Sequence, residues 1–97
     1  MEITKKSEGS KLTVAVVGRV DTITAPELEA SLALAGVAEL TIDLAGVPYM
    51  SSAGLRCLLT AQKTMMAQGG TMVIAGTQPA VREVFDITGF SEILTLA

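Results

Sequence analysis

Apolar residues in this chain switch repeatedly between two periods, every second position and helical spacing, and glycine or proline marks most of the switches. Leu12, Val14 and Val16 alternate with Thr13 and Ala15 across Lys11 to Gly18, and Leu40, Ile42 and Leu44 alternate with Thr41 and Asp43. Alternation of this kind describes a strand with one buried face. Thr71 to Ala75 reads as a further buried strand. A weaker strand over Glu2 to Lys6 is placed to pair with the first main strand through a turn at Ser7 to Ser10.

Helical signals fill the intervals. Thr24, Ala25, Pro26 and Glu27 spell a helix start: a Thr24 hydroxyl to cap, Glu27 to reach back, and Pro26 where no N–H is needed. Leu28 and Leu32 supply the buried stripe of that helix and Gly36 its left-handed terminator. After Gly46 and Pro48 break the second alternating run, Leu55, Leu58, Leu59 and Met65 or Met66 recur near helical spacing, with Arg56, Thr60, Lys63 and Gln68 on the other face. Gly69 and Gly70 end this central helix. Gln78 and Pro79 open a third, which carries Val81, Val84 and Phe85 inward and closes at Gly89. Ser91 to Leu96 reads as a last strand. The predicted order is ββαβαβαβ: an α/β single domain over residues 1–97, with a mixed, mostly parallel sheet and helices packed on it. Parallel neighbours joined through helices require right-handed crossovers.

At 97 residues the chain hides only about 60 to 70% of its unfolded surface, enough for one modest core. Seven basic residues against ten acidic ones, scattered rather than clustered, give a net charge of −3 and argue against a nucleic acid partner. The polar start from Met1 to Lys11 lacks the apolar stretch of a signal peptide, and no run approaches the roughly 20 apolar residues that span a bilayer. No membrane partner is expected, and the expected compartment is the cytoplasm. The lone Cys57 excludes an internal disulfide and falls beside the apolar stripe of the central helix, as an inert, partly buried thiol.

Chemistry is easier to exclude than to assign. There is no histidine, so neither Ser51 nor Ser52 has the usual base that would make it a nucleophile. Met50 and Gly54 flank Ser52 where a hydrolase elbow needs glycine on both sides. Gly69 and Gly70 run into Thr71 rather than a phosphate-binding Gly-Lys-Ser/Thr ending. Asp21, Asp43 and Asp86 are far apart and lack cysteine or histidine companions, so no metal site, cofactor or catalytic residue is expected. What remains is the run Met50-Ser51-Ser52-Ala53-Gly54-Leu55-Arg56, which places two hydroxyls where a strand gives way to a helix. A serine there can simply cap the helix, a contribution of about 1 kcal/mol. It can also carry a phosphate beside free N–H groups and the positive end of the helix dipole. Ala53 and Gly54 leave the first turn bare, so another protein's active site can approach.

The segment Leu44 to Leu59, with Gly18-Arg19-Val20-Asp21 and the Thr71 to Gly89 stretch, resembles a stand-alone STAS domain of the bacterial anti-sigma factor antagonist type. The resemblance spans nearly the whole chain. It implies partner switching: the unmodified protein binds an anti-sigma factor that is also a serine kinase, phosphorylation ends the binding, and a PP2C-type phosphatase restores it. The family's acceptor position falls on Ser52, with Ser51 as the second choice. Many members carry aspartate immediately before the acceptor, where this chain has Ser51. The expected partner-binding surface comprises Asp21, carried over from a family aspartate, with Met50, Ser51, Ser52, Ala53 and Gly54, flanked by Arg56 and Lys63. A constitutive interaction or scaffold module, in which the serines only cap the helix, and a small-molecule sensor on the same fold are the alternatives.

Overall fold

Alternation along the strands decides which side of the sheet is dry. In the computed structural model, which describes residues 1–97, β1 (Glu2–Glu8) pairs antiparallel with β2 (Lys11–Val17), and β2, β3 (Glu39–Gly46) and β4 (Thr71–Ala75) run parallel in the order β1-β2-β3-β4. The registers Leu12 with Leu40, Val14 with Ile42, Leu40 with Met72 and Ile42 with Ile74 bring the apolar members of the alternating pattern onto one face, where all are buried. Thr13, Thr41, Asp43 and Val73 point the other way and stay half-buried or exposed.

Helices cover the apolar face. These are α1 (Ala25–Ser31), α2 (Ser52–Ala67), α3 (Pro79–Thr88) and α4 (Phe90–Ile93). Leu28 from α1, Leu55, Leu58 and Met65 from α2, and Val81 and Phe85 from α3 join the strand side chains in one cluster that contains no buried charged or polar residue. At about 1.5 to 3 kcal/mol for each fully buried large apolar side chain, this layer is the main source of stability.

Three local expectations are corrected. Ser91 to Leu96 is not a strand: Gly89, at φ +80°, turns α3 directly into α4, and Phe90 and Leu94 pack at helical spacing. Only Leu96 is left to bridge Ile74, with Ile74 N–H donating to Thr95 O at 2.8 Å and Ala97 N–H to Ile74 O at 2.8 Å. Helix α1 stops at Ser31 rather than running to Gly36. The following loop buries Leu34 and is pinned by Gln68, whose Nε2 donates to the Leu34 and Val37 carbonyls at 2.9 and 3.1 Å. The Thr24 side chain, finally, makes no helix-capping hydrogen bond.

Gly54, in the first turn of α2, has no room for a side chain. A Cβ there would stand 2.7 Å from Val20 Cγ1 and 2.8 Å from Met50 Cγ, both on buried residues. Gly54→Ala therefore gains up to about 1 kcal/mol in helix propensity and loses about 1 to 3 kcal/mol to overpacking. Urea unfolding should show a net loss of stability on the order of 1 to 2 kcal/mol.

Candidate functional site

Parallel neighbours deliver their outgoing loops to the same end of a sheet, and here the two loops are stitched together. Beyond a register shift between Ala15 and Val17, Gly18 N–H donates to Gly46 O at 2.9 Å. The chain then pairs once more as an isolated parallel bridge, Val20 with Met50: Val20 N–H donates to Tyr49 O at 3.0 Å and Ser51 N–H to Val20 O at 2.8 Å. This bridge lays the Arg19–Asp21 segment beside the start of α2. Above it the Arg19 guanidinium lies 4.4 Å from the centroid of the Tyr49 ring, a cation–π contact.

Ser51 is the N-cap residue, with extended backbone at φ −86° and ψ 173°, and its carbonyl accepts the first helical bond from Leu55 N–H at 3.0 Å. Its hydroxyl does not cap. Ser51 Oγ is shut away from solvent with no hydrogen-bond partner. Ser52, the first residue of the helix, is exposed, Ala53 is half-buried, and Arg56 is exposed one turn further on. The first turn holds no acidic residue.

Asp21 builds the neighbouring loop. Its Oδ1 accepts from Ile23 N–H at 2.9 Å and Thr24 N–H at 3.0 Å, while Thr24 Oγ1 accepts from Asp21 N–H and donates to Arg19 O, each at 2.9 Å. The Thr24 amide bond holds the Asp21 carboxyl below its ordinary range against an opposing effect of burial, with a further, weaker contribution from the Ile23 amide. Ile23, at the tip of this loop, is 87% exposed.

The expected site residues therefore divide. Asp21, Ser51, Ser52, Ala53 and Arg56 come together at one end of the molecule. Lys63 lies eleven residues beyond Ser52 on α2, roughly 16 Å along the axis, and is exposed. Met50 and Gly54 are buried, packed against Val20 beneath the turn, so they shape the surface from below rather than form part of it. Arg19, which enters the sequence reading only as part of the Gly18–Asp21 segment, and Tyr49 and Ile23 are not among the expected site residues: no local periodicity connects residues 19 and 49, and only the Val20–Met50 bridge makes them neighbours. Cys57 is buried with Sγ 3.4 Å from Ala25 O, and burial, with Glu29 nearby, pushes its thiol up. No group of three or more metal-ligating side chains is present.

Two outcomes test this local chemistry. A capping serine costs about 0.5 to 2 kcal/mol when replaced by alanine, whereas an unpartnered buried hydroxyl carries a desolvation cost of about 1 to 3 kcal/mol. Ser51→Ala should accordingly leave the chemical denaturation midpoint unchanged or raise it. Asp21, its carboxyl held below the ordinary carboxylate range, contributes stability that is present above that range and lost as pH falls through the folded pKa. Asp21→Asn should shallow the fall in stability below about pH 4 without abolishing it. Asp86, lowered by the Ser91 hydroxyl and then by Arg82, titrates in the same direction.

Known proteins share this chain's sequence and architecture. The STAS domain family model matches residues 2–97. BtrV of Bordetella bronchiseptica is 36% identical over 100 residues, covering 100% of this chain and 86% of BtrV. The anti-sigma-B factor antagonist of Listeria monocytogenes is 32% identical over 95 residues, covering 95% of this chain and 83% of its own length. Among solved structures, an anti-sigma factor antagonist from Mycobacterium paratuberculosis superposes with a TM-score of 0.86 at 26% identity, covering 98% of this chain and 83% of that one. With a matching family model and relatives that both extend over almost its entire length, the chain belongs to the STAS domain family.

Proposed function

We propose that this STAS domain, its ninety-seven residues acting as one unit, is an anti-sigma factor antagonist controlled by phosphorylation of Ser52. The relatives named as anti-sigma factor antagonists support the class of partner. The observation that carries the switch is the exposed Ser52 hydroxyl on the first residue of α2, beside a hydroxyl at Ser51 that is sealed off. A kinase can reach the first oxygen and not the second. Accessibility supports Ser52 over Ser51 as the acceptor.

In the unmodified state the protein docks an anti-sigma factor that is itself a serine kinase, through the surface around Asp21, Ser52, Ala53 and Arg56. Phosphorylation adds about −1.5 to −2 charges and three acceptor oxygens. Within the domain the cost is small, because a helix N-terminus favours an anion. At the interface the dianion must be desolvated against a surface shaped for a neutral hydroxyl, a penalty of roughly 3 to 5 kcal/mol, or two to three decades in affinity or more. A PP2C-type phosphatase resets the cycle, which takes place in the cytoplasm. The domain is the substrate of these enzymes and performs no chemistry of its own.

Incubation with the cognate kinase and ATP should give one phosphate, on Ser52 by tandem mass spectrometry, and none on Ser52→Ala. Binding titrations should show Ser52→Ala docked constitutively and Ser52→Asp weakened by about tenfold or more, a single carboxylate being a partial mimic. Equal affinities for the two variants would rule out a charge mechanism, and a phosphate on another residue would move the switch elsewhere.

A further inference from the structure

Arg56 is the cation one helical turn beyond Ser52, and nothing in the folded chain occupies it. Side chains at i and i+4 stand about 5 to 6 Å apart at their Cβ atoms, and an anion N-terminal to a cation is the favourable orientation. The molecule has two ion pairs, Lys11 with Glu39 and Arg82 with Asp86, and Arg56 belongs to neither. It is exposed and lines the groove between α1 and α2, with Glu29 on the opposite wall. Glu29 does not approach within ion-pairing distance. The neighbouring cation, Arg19, is already held over the Tyr49 ring. Lys63 lies about 10 Å further along the helix axis from Arg56. The first turn of α2 has neither a side-chain cap nor an acidic residue to compete for positive charge.

We propose that Arg56 is the intramolecular receptor of a phosphate on Ser52. The inference rests on the reading of Ser52 as the modified residue and adds what happens to the modification once made. A guanidinium presents parallel N–H donors that match two phosphate oxygens, an arrangement stronger and more directional than a point charge. The phosphate is then held back along α2 rather than left free in solvent. Phosphorylation changes the docking surface twice over: a dianion arrives, and the unpaired positive charge of Arg56 is withdrawn into an internal pair. The domain's own fold needs no rearrangement, since both side chains already sit on the same exposed helix face.

The test reads the phosphate itself. Phosphoserine is installed at position 52 during synthesis, which makes the measurement independent of any kinase, and its second ionisation is followed by 31P NMR. Glu29 across the groove, the buried Cys57 thiol, Arg19 over the Tyr49 ring and the Asp21 carboxylate are unchanged in every variant, so differences between variants isolate Arg56. At low salt the midpoint should lie about 0.5 to 1 pH unit lower with Arg56 than in Arg56→Gln, because an adjacent cation favours the dianion. Arg56→Lys should fall between them, Lys11→Gln at the far end of the sheet should match the unaltered protein, and about 1 M salt should shrink the difference. Coincident midpoints for Arg56 and Arg56→Gln at low salt overturn the proposal. A shifted midpoint in a protein that no kinase labels on Ser52 would leave this pairing standing and remove the switch. A working switch with unshifted midpoints would do the reverse.

Discussion

One isolated pair of residues, Val20 and Met50, holds the candidate site together. Their parallel bridge is two backbone hydrogen bonds long, and each bond contributes only about 1 kcal/mol net. Its leverage comes from position. Val20 and Met50 are both buried, Gly54 closes onto them without space for another carbon, and the first residues of α2 are thereby fixed against the Arg19–Asp21 loop. A serine on an ordinary loop would be just as exposed but would have no fixed neighbours. Here Ser52, Arg56, the Arg19–Tyr49 pair and the Asp21 loop keep a constant arrangement, which a partner protein can recognise as a shape.

The strands and the long helices were legible because each is written in a period that its own burial enforces. Leu12, Val14 and Val16 must share a face in any strand, and Leu55, Leu58 and Met65 must share one in any helix, whatever else the chain does. The failures occur where tertiary contacts outvote a local pattern. The last segment carries apolar residues Ile93, Leu94 and Leu96 that suit a short strand, yet Phe90 and Leu94 gain more by packing four residues apart, and Gly89 permits the turn that lets them. Thr24 carries a capping hydroxyl in sequence, but in the structure that hydroxyl serves the Arg19–Asp21 loop behind it. Met50 and Gly54 belong to the motif that marks the site and are nonetheless interior, because the motif describes a turn of backbone and not a patch of surface. The contact between Arg19 and Tyr49 is legible only once the bridge is known.

The sources of stability and the proposed switch occupy separate layers of this molecule. No charged or polar residue belongs to the buried core, and the groups that would respond to phosphate, Ser52 and Arg56, are exposed. Charges at that depth are screened and interact weakly with an apolar interior, so adding a dianion at Ser52 has little purchase on folding. The same charge would have a large effect once a docked partner removed the water, since the interaction would then operate at lower dielectric and with no spare cation if Arg56 were engaged. A domain of this size has only a modest stability reserve and could not use unfolding as its output without losing the protein. Under the proposed switch, confining the charge change to an exposed hydroxyl, with the Val20–Met50 bridge beneath it, would make the complex rather than the fold the species that phosphorylation destabilises.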